Sequence, residues 1–338
     1  MSLIACFALL ALPLSAAFTF SISGLRIPDR PSSSSVPSLR PLRGGLSLPT
    51  MSTTPPAGPL VSCEWLKDNL GSVKLLDASW YLPTMERAPG VKFDAVGEFA
   101  KQRIPGAAFF DIDKISDLGS PHPHMMPSAD FFADCVSRLG VTRDSHVVVY
   151  DGKGMFSAPR AWTMFQAFGH EKVHILDGGF PAWLAAGYEV ETTAMSAEAP
   201  EKAALEYGKA TGPAGILSMA EVEANVASRQ YQLVDARPYP RYVGDAPEPR
   251  PIESGHIEGS YCVPFLDVIT AEGKMKNSRD IEEALQKAKV DASQPIALTC
   301  GSGVSACIVR AALSKLGISD VPLYDGAYTE WKVSGLPT

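Results

Sequence analysis

The chain has 338 residues, 46% of them hydrophobic and 20% charged, with 30 basic against 37 acidic side chains and a formal charge of −7. That composition excludes a disordered chain, a collagen-like repeat, a disulfide scaffold built on six cysteines, and a generally basic nucleic-acid surface. At roughly 150 residues per domain it predicts about two domains, and the longest apolar run, Leu3 to Leu12, is too short to span a membrane.

The first fifty residues stand apart. Arg26, Arg30, Arg40 and Arg43 against Asp29 alone give them a net +3, which leaves 26 basic and 36 acidic groups, or −10, in the other 288. An apolar stretch is followed by a small-residue cleavage signal at Ser15-Ala16-Ala17 and by a Ser/Pro/Arg tract from Ser21 to Pro49. This order resembles the bipartite leaders, signal then transit segment, of plastids enclosed by extra membranes, although no Lys or Arg precedes the apolar stretch. A removable leader over 1–50 is the expectation, with a mitochondrial presequence, a cytosolic form starting at Met51 and a plain unstructured tail as the alternatives.

Past Met51 strands alternate with helical stretches, the pattern of an α/β fold around a parallel sheet. The pattern occurs twice. Lys74-Leu75-Leu76-Asp77 is answered by Gln232-Leu233-Val234-Asp235, 158 residues on, and Ile104-Pro105-Gly106 by Ile257-Glu258-Gly259. Val147-Val148-Val149-Tyr150-Asp151-Gly152 is answered by Ile296-Ala297-Leu298-Thr299-Cys300-Gly301. Asp177-Gly178 and Trp183 are answered by Asp325-Gly326 and Trp331, each 148 residues on. Four blocks in one order predict duplicated domains over 58–190 and 216–338, each a parallel sheet flanked by helices. Between them 191–215, rich in Ala, Thr, Pro and Glu, reads as an exposed connector. Asp77, Asp235, Asp177, Asp325, Trp183 and Trp331 recur in both copies, which favours structural roles for them.

The helix after Cys300 is predicted from Ile308, Val309, Ala312, Leu313 and Leu316, an apolar stripe at helical spacing. It places Cys300 at the carboxyl end of a buried strand, with Gly301 to Ser305 as the turn into the helix. Small residues at Gly301-Ser302-Gly303 let the amides curl inward as an anion nest, and the helix adds its positive end. A cysteine there is expected to be a thiolate nucleophile. Cys6, Cys63, Cys135, Cys262 and Cys307 have no such setting, and the first copy carries Asp151 in place of Cys300, so only one domain has the nucleophile. Ala306 stands where a Cys-x5-Arg phosphatase needs its arginine, and no Cys-x-x-Cys redox pair is present.

These motifs resemble the tandem-domain rhodanese superfamily and, within it, the 3-mercaptopyruvate sulfurtransferases, from about Leu60 to the C-terminus. The loop Cys-Gly-Ser-Gly-Val is theirs, with Ser305 for their threonine; thiosulfate sulfurtransferases carry basic residues after the cysteine. The resemblance implies that Cys300 takes the sulfur as a persulfide, that Gly301, Gly303, Val304 and Ser305 cradle it, and that Arg241 and Arg250 hold the substrate. A guanidinium suits the carboxylate of a 2-oxo acid. It further implies a protease-like relay of Ser302, His124 and Asp113, with His122 as a rival histidine, in a cleft between the domains. The sulfur would pass to a small thiol, a thioredoxin-type protein or cyanide, releasing pyruvate by ping-pong kinetics. No metal or organic cofactor, nucleic acid or stable membrane insertion is implied. A thiosulfate-specific enzyme and a non-catalytic module that binds a partner or senses oxidants are the competing expectations.

Overall fold

The computed structural model describes residues 57–193 and 207–338; the expected leader over 1–50, Cys6, the alternative start at Met51 and the middle of the connector lie outside them. The first lobe contains β1 (Leu60–Val61), α1 (Cys63–Asn69), β2 (Lys74–Asp77), the hairpin β3 (Glu86–Ala88) and β4 (Val91–Lys92), α2 (Ala95–Lys101) and β5 (Ala108–Phe109). It continues with α3 (Ala129–Arg138), β6 (Val147–Tyr150), α4 (Ala158–Ala167), β7 (Val173–Leu176) and α5 (Gly179–Ala185). The second lobe runs β8 (Ile216–Leu217), α6 (Met219–Ser228), β9 (Gln232–Asp235), α7 (Tyr239–Tyr242), β10 (Tyr261–Cys262), α8 (Ser278–Lys287), β11 (Ile296–Thr299), α9 (Ser305–Lys315), β12 (Leu323–Tyr324) and α10 (Ala327–Val333).

Both five-stranded sheets are parallel and share one topology, β1-β7-β6-β2-β5 and β8-β12-β11-β9-β10. The central strands β6 and β11 are buried along their whole length, as strands covered by helices on both faces must be. Side chains at the helix starts take up orphan amides there: Ser62, Ser128 and Asn277 cap α1, α3 and α8, and Ser218 with Glu221 forms a capping box on α6.

The helix α9 is buried on more than the one stripe its sequence shows, because α4 of the first lobe packs on its outer side. One continuous apolar core therefore runs through both lobes, from Val149 and Phe165 to Leu298 and Ile308. The lobes also exchange contacts in a pseudo-twofold manner. The Met126 amide donates to Asp325 Oδ2 (2.5 Å) and the Met275 amide to Asp177 Oδ1 (2.8 Å). Each lobe thus lays a loop over the other's strand-turn-helix junction, and these aspartates join domains as well as ending strands.

Most of the connector's described residues are exposed, among them Lys209, Thr211 and Pro213, but its two ends are fastened to the first lobe. Tyr207 and Ala210 are buried. Tyr207 stacks on His170 and hydrogen-bonds it (3.0 Å), and its amide donates to Ser137 Oγ (3.1 Å), while Glu191 pairs with the buried Arg103. An aromatic ring and a charge partner thus anchor the two ends to the first lobe.

Asp77 and its copy Asp235 differ in one physical respect. Arg237 lies on Asp235 (2.6 Å), whereas Asp77, 5% exposed, pairs with no cation among the described residues. Burial, with a smaller contribution from Asp151, pushes Asp77 up to about 6. Because the folded value exceeds the unfolded one, its stabilising contribution is complete below about pH 3.8 and is lost as pH rises through about 6. Asp77→Asn is expected to leave the thermal midpoint unchanged near pH 3.5 and to stabilise the chain by about 1–2 kcal/mol at pH 7.5. Melting curves across that range check it, and a variant less stable at pH 7.5 would contradict it.

Candidate active site

Cys300 sits at the end of β11, 1% exposed, where the chain leaves the sheet. The carbonyls of the following turn all point outward to partners. Tyr328 N–H donates to Cys300 O (2.9 Å), and Thr329 donates to Gly301 O through its amide (3.1 Å) and hydroxyl (2.5 Å). Gly303 O accepts from Arg160 Nη1 (3.3 Å) and from the Cys307 thiol (3.2 Å). Gly303 has φ +74°, and a Cβ there would lie 3.0 Å from Asp325 O, so the turn requires glycine. The amides of Ser302, Ser305 and Ala306 take no acceptor among the described residues.

The first lobe shows what such a turn does with an anion. In the Asp151 copy, Oδ1 accepts from the Lys153 amide (2.8 Å), and Oδ2 accepts from the amides of Phe156 (2.8 Å), Ser157 (3.0 Å) and Ala158 (2.9 Å). This nest holds a carboxylate in the first lobe, and the turn after Cys300 carries the matching amides at the same spacing. Burial, the leading cause in each case, pushes the other described thiols up: Cys63, Cys135 and Cys307, and Cys262 to about 12. They are poor thiolates.

Positive charge converges on the Cys300 turn. Arg250 Nη2 donates to Ser302 Oγ (3.0 Å), and Arg241 Nη2 lies 3.1 Å from where a Gly301 Cβ would be. Arg241 is held by Glu248, which also takes Arg237 Nη1 (2.8 Å); Arg237 in turn chelates Asp235 and lies 3.8 Å over the Tyr328 ring. The buried Arg241 Nε has no hydrogen-bond partner, an unused donor. Burial, reinforced by Arg241, lowers Arg250 below the ordinary guanidinium value, while the Cys300 position works in the opposite sense.

His124 arrives from the first lobe on a left-handed backbone, φ +63°, and is 3% exposed. A histidine in that region is uncommon and marks a held position. Its Nε2 is 2.9 Å from Asp113 Oδ1 and its Nδ1 3.1 Å from the Ser302 carbonyl. Trp80 donates to Asp113 Oδ2 (3.0 Å) and meets the His124 ring edge-on at 4.7 Å. Burial alone would raise the Asp113 carboxyl, but the His124 and Trp80 hydrogen bonds and the His124 and Arg250 charges outweigh it and hold it below the usual range.

The structure brings Cys300, Ser302, His124, Asp113, Arg241 and Arg250 into one interdomain cluster, but the implied relay is wired differently. Ser302 Oγ belongs to Arg250, and His124 meets only the Ser302 carbonyl, because the turn faces that carbonyl outward. Both His124 nitrogens therefore face acceptors, and a neutral ring can donate to only one of them. His122 touches none of these groups; its amide is on Ser120 Oγ (3.1 Å). Arg160, Arg237, Glu248 and Trp80 belong to the cluster and were not among the expected residues. Among the described residues no group of three or more His, Cys, Asp or Glu is placed to hold a metal ion, and no helix is long and apolar enough to cross a membrane.

A model of the rhodanese-like domain matches the chain twice, over residues 62–186 and 218–334. The chain is 45% identical over 287 residues to 3-mercaptopyruvate sulfurtransferase of Rattus norvegicus, spanning 82% of this chain and 93% of that protein. It is 40% identical over 310 residues to thiosulfate/3-mercaptopyruvate sulfurtransferase 1, mitochondrial, of Arabidopsis thaliana, spanning 86% of this chain and 79% of that protein. Among solved structures, SseA of Escherichia coli, described as a 3-mercaptopyruvate sulfotransferase with the rhodanese fold, superposes with a TM-score of 0.70 at 34% identity, covering 80% of this chain and 99% of that one.

Proposed function

The chain belongs to the rhodanese family as a tandem sulfurtransferase, and on that premise we propose that it takes the sulfur of 3-mercaptopyruvate onto Cys300. The observation that carries this reading is the four-amide nest that holds the Asp151 carboxylate at the position matching Cys300. Arg241, through its unused Nε, and Arg250 grip the donor carboxylate. Arg250 leaves Ser302 Oγ to do so, which opens a way to the buried thiol.

The Cys300 thiolate attacks the donor sulfur, and the carbon–sulfur electron pair moves to carbon as the pyruvate enolate. The donor's thiol proton ends on that carbon, handed across by His124 with Asp113 and Trp80 orienting the ring. Cys300 is left as a persulfide anion held by the turn amides and the surrounding arginines. A small thiol, a thioredoxin-type protein or cyanide then attacks the outer sulfur and restores the thiolate. Both lobes contribute to this site, so 58–190 and 216–338 act as one catalytic unit.

Thiosulfate is the second donor to weigh, because a relative bears both names and several arginines face the turn. Gly301 argues for mercaptopyruvate: a basic side chain there would have to displace Arg241 Nη2. The test compares pyruvate release from 3-mercaptopyruvate with sulfite release from thiosulfate. Mercaptopyruvate is expected to win, and Arg241→Met is expected to cut its kcat/KM by about 10- to 150-fold, the worth of a charge-assisted hydrogen bond. Faster turnover of thiosulfate would overturn the donor assignment. For residues 1–50 we favour a plastid leader over a mitochondrial one, and N-terminal sequencing of the mature chain distinguishes a cleaved leader from an intact one.

A further inference from the structure

Arg160 stands on α4 of the thiol-free lobe among Ala158, Pro159, Ala161, Trp162 and Phe165, all buried, and is itself 1% exposed. A guanidinium in such a place persists only when it is paired and hydrogen-bonded. Its Nη1 donates to Asp325 Oδ1 (2.6 Å) and to Gly303 O (3.3 Å), and its Nη2 donates to His124 O. One side chain thus ties together the two left-handed residues flanking the chemistry, Gly303 (φ +74°) on the Cys300 turn and His124 (φ +63°) on the opposite lobe. Asp325 closes the circuit by accepting the Met126 amide, two residues beyond His124.

The duplication supplies a control. By the pairing of Asp151 with Cys300, the position matching Arg160 in the second copy is Val309, on α9. Both lobes share the Asp177 and Asp325 cross-links, yet among the described residues only the turn that contains a thiol receives an arginine from its neighbour. A residue needed merely to join the lobes would be expected on both sides. Cys300 and Cys307 both contribute to the Arg160 environment, and Asp325 raises the guanidinium against the opposing effect of burial.

We propose that Arg160 is a positioning residue of the sulfur-transfer reaction: it fixes the Gly303 and His124 carbonyls against each other and holds a buried positive charge behind the Cys300 turn. The proposal rests on the reading that Cys300 carries the sulfur. The charged and titratable groups facing that turn are Arg160, Arg237, Arg241, Arg250, Glu248, His124 and Asp325, with Cys307 beneath it.

The test uses the full chain with Arg160→Lys and the double variant Arg160→Gln/Asp325→Asn, which removes both charges of the ion pair together and leaves a side-chain amide oxygen able to accept from the Met126 N–H. Thermal midpoint, kcat, KM and Cys300 alkylation by iodoacetamide, followed on the Cys300 peptide, are measured. The double variant is expected to unfold cooperatively, to lose about 100-fold in kcat, the cost of a small misplacement, and to keep KM within about threefold while Cys300 is still alkylated. Arg160→Lys keeps the charge but not the fork, so kcat falls about tenfold with KM again little changed; it carries the test should the double variant not fold. Wild-type kcat in either variant would overturn the proposal. Failure of the wild-type chain to turn over either donor would sink the transfer reading instead, and the proposal with it, whatever the alkylation result.

Discussion

Cys300→Ser is expected to reduce pyruvate release from 3-mercaptopyruvate by at least about 10⁴-fold, the scale on which losing a catalytic nucleophile is measured, with the thermal midpoint nearly unchanged. Serine fits the site: Cys300 is enclosed among groups that bond its backbone, not its sulfur, and an oxygen there occupies less volume. The loss would therefore be chemical. None of the other described cysteines substitutes for it, since burial holds each of them away from the thiolate and no comparable nest surrounds them. Residual turnover near the wild-type rate would remove Cys300 from the reaction. A complete loss of folding would make steady-state rates uninformative, so the melting curve belongs to the same experiment.

The second large effect is expected at His124. His124→Asn should lower kcat by about 10²- to 10⁴-fold, the range for a positioned proton-transfer group, and change KM little. Asparagine is the suitable replacement because it tolerates a left-handed backbone, so φ +63° adds no strain of its own, and its amide can still donate to the Ser302 carbonyl. Only the carbon that becomes the pyruvate methyl needs a proton. The loss should therefore fall on the pyruvate-releasing half of the cycle, while transfer of sulfur from preloaded Cys300 to cyanide proceeds near the wild-type rate. Equal damage to both halves would show that His124 holds the turn and does not move a proton.

Local sequence carries the parts of this site that depend on one strand, one turn and one helix. The apolar run ending at Cys300, the small residues after it and the helical stripe beyond define the nest without reference to anything distant, and the repeat identifies Asp151 as its copy. What local sequence does not carry is pairing across the lobes. His124 and Ser302 both belong to recognisable segments, yet whether hydroxyl or carbonyl faces the imidazole depends on the turn's curl. Arg160 gave a faint signal, the lone charge on a mostly apolar helix, but its partners lie 36, 143 and 165 residues away. The connector's polar composition likewise conceals Tyr207, a single ring that finds a buried seat on His170 among mostly exposed neighbours.

The most direct measurement is the mass of the resting protein after exposure to 3-mercaptopyruvate without an acceptor, read on the intact chain and on the Cys300 peptide. The chain should gain one sulfur atom on Cys300, release one pyruvate for each sulfur gained, and return to its original mass when cyanide is added. Pyruvate release with no added sulfur, or sulfur found on any other cysteine, would contradict the assignment of Cys300 as the sulfur carrier.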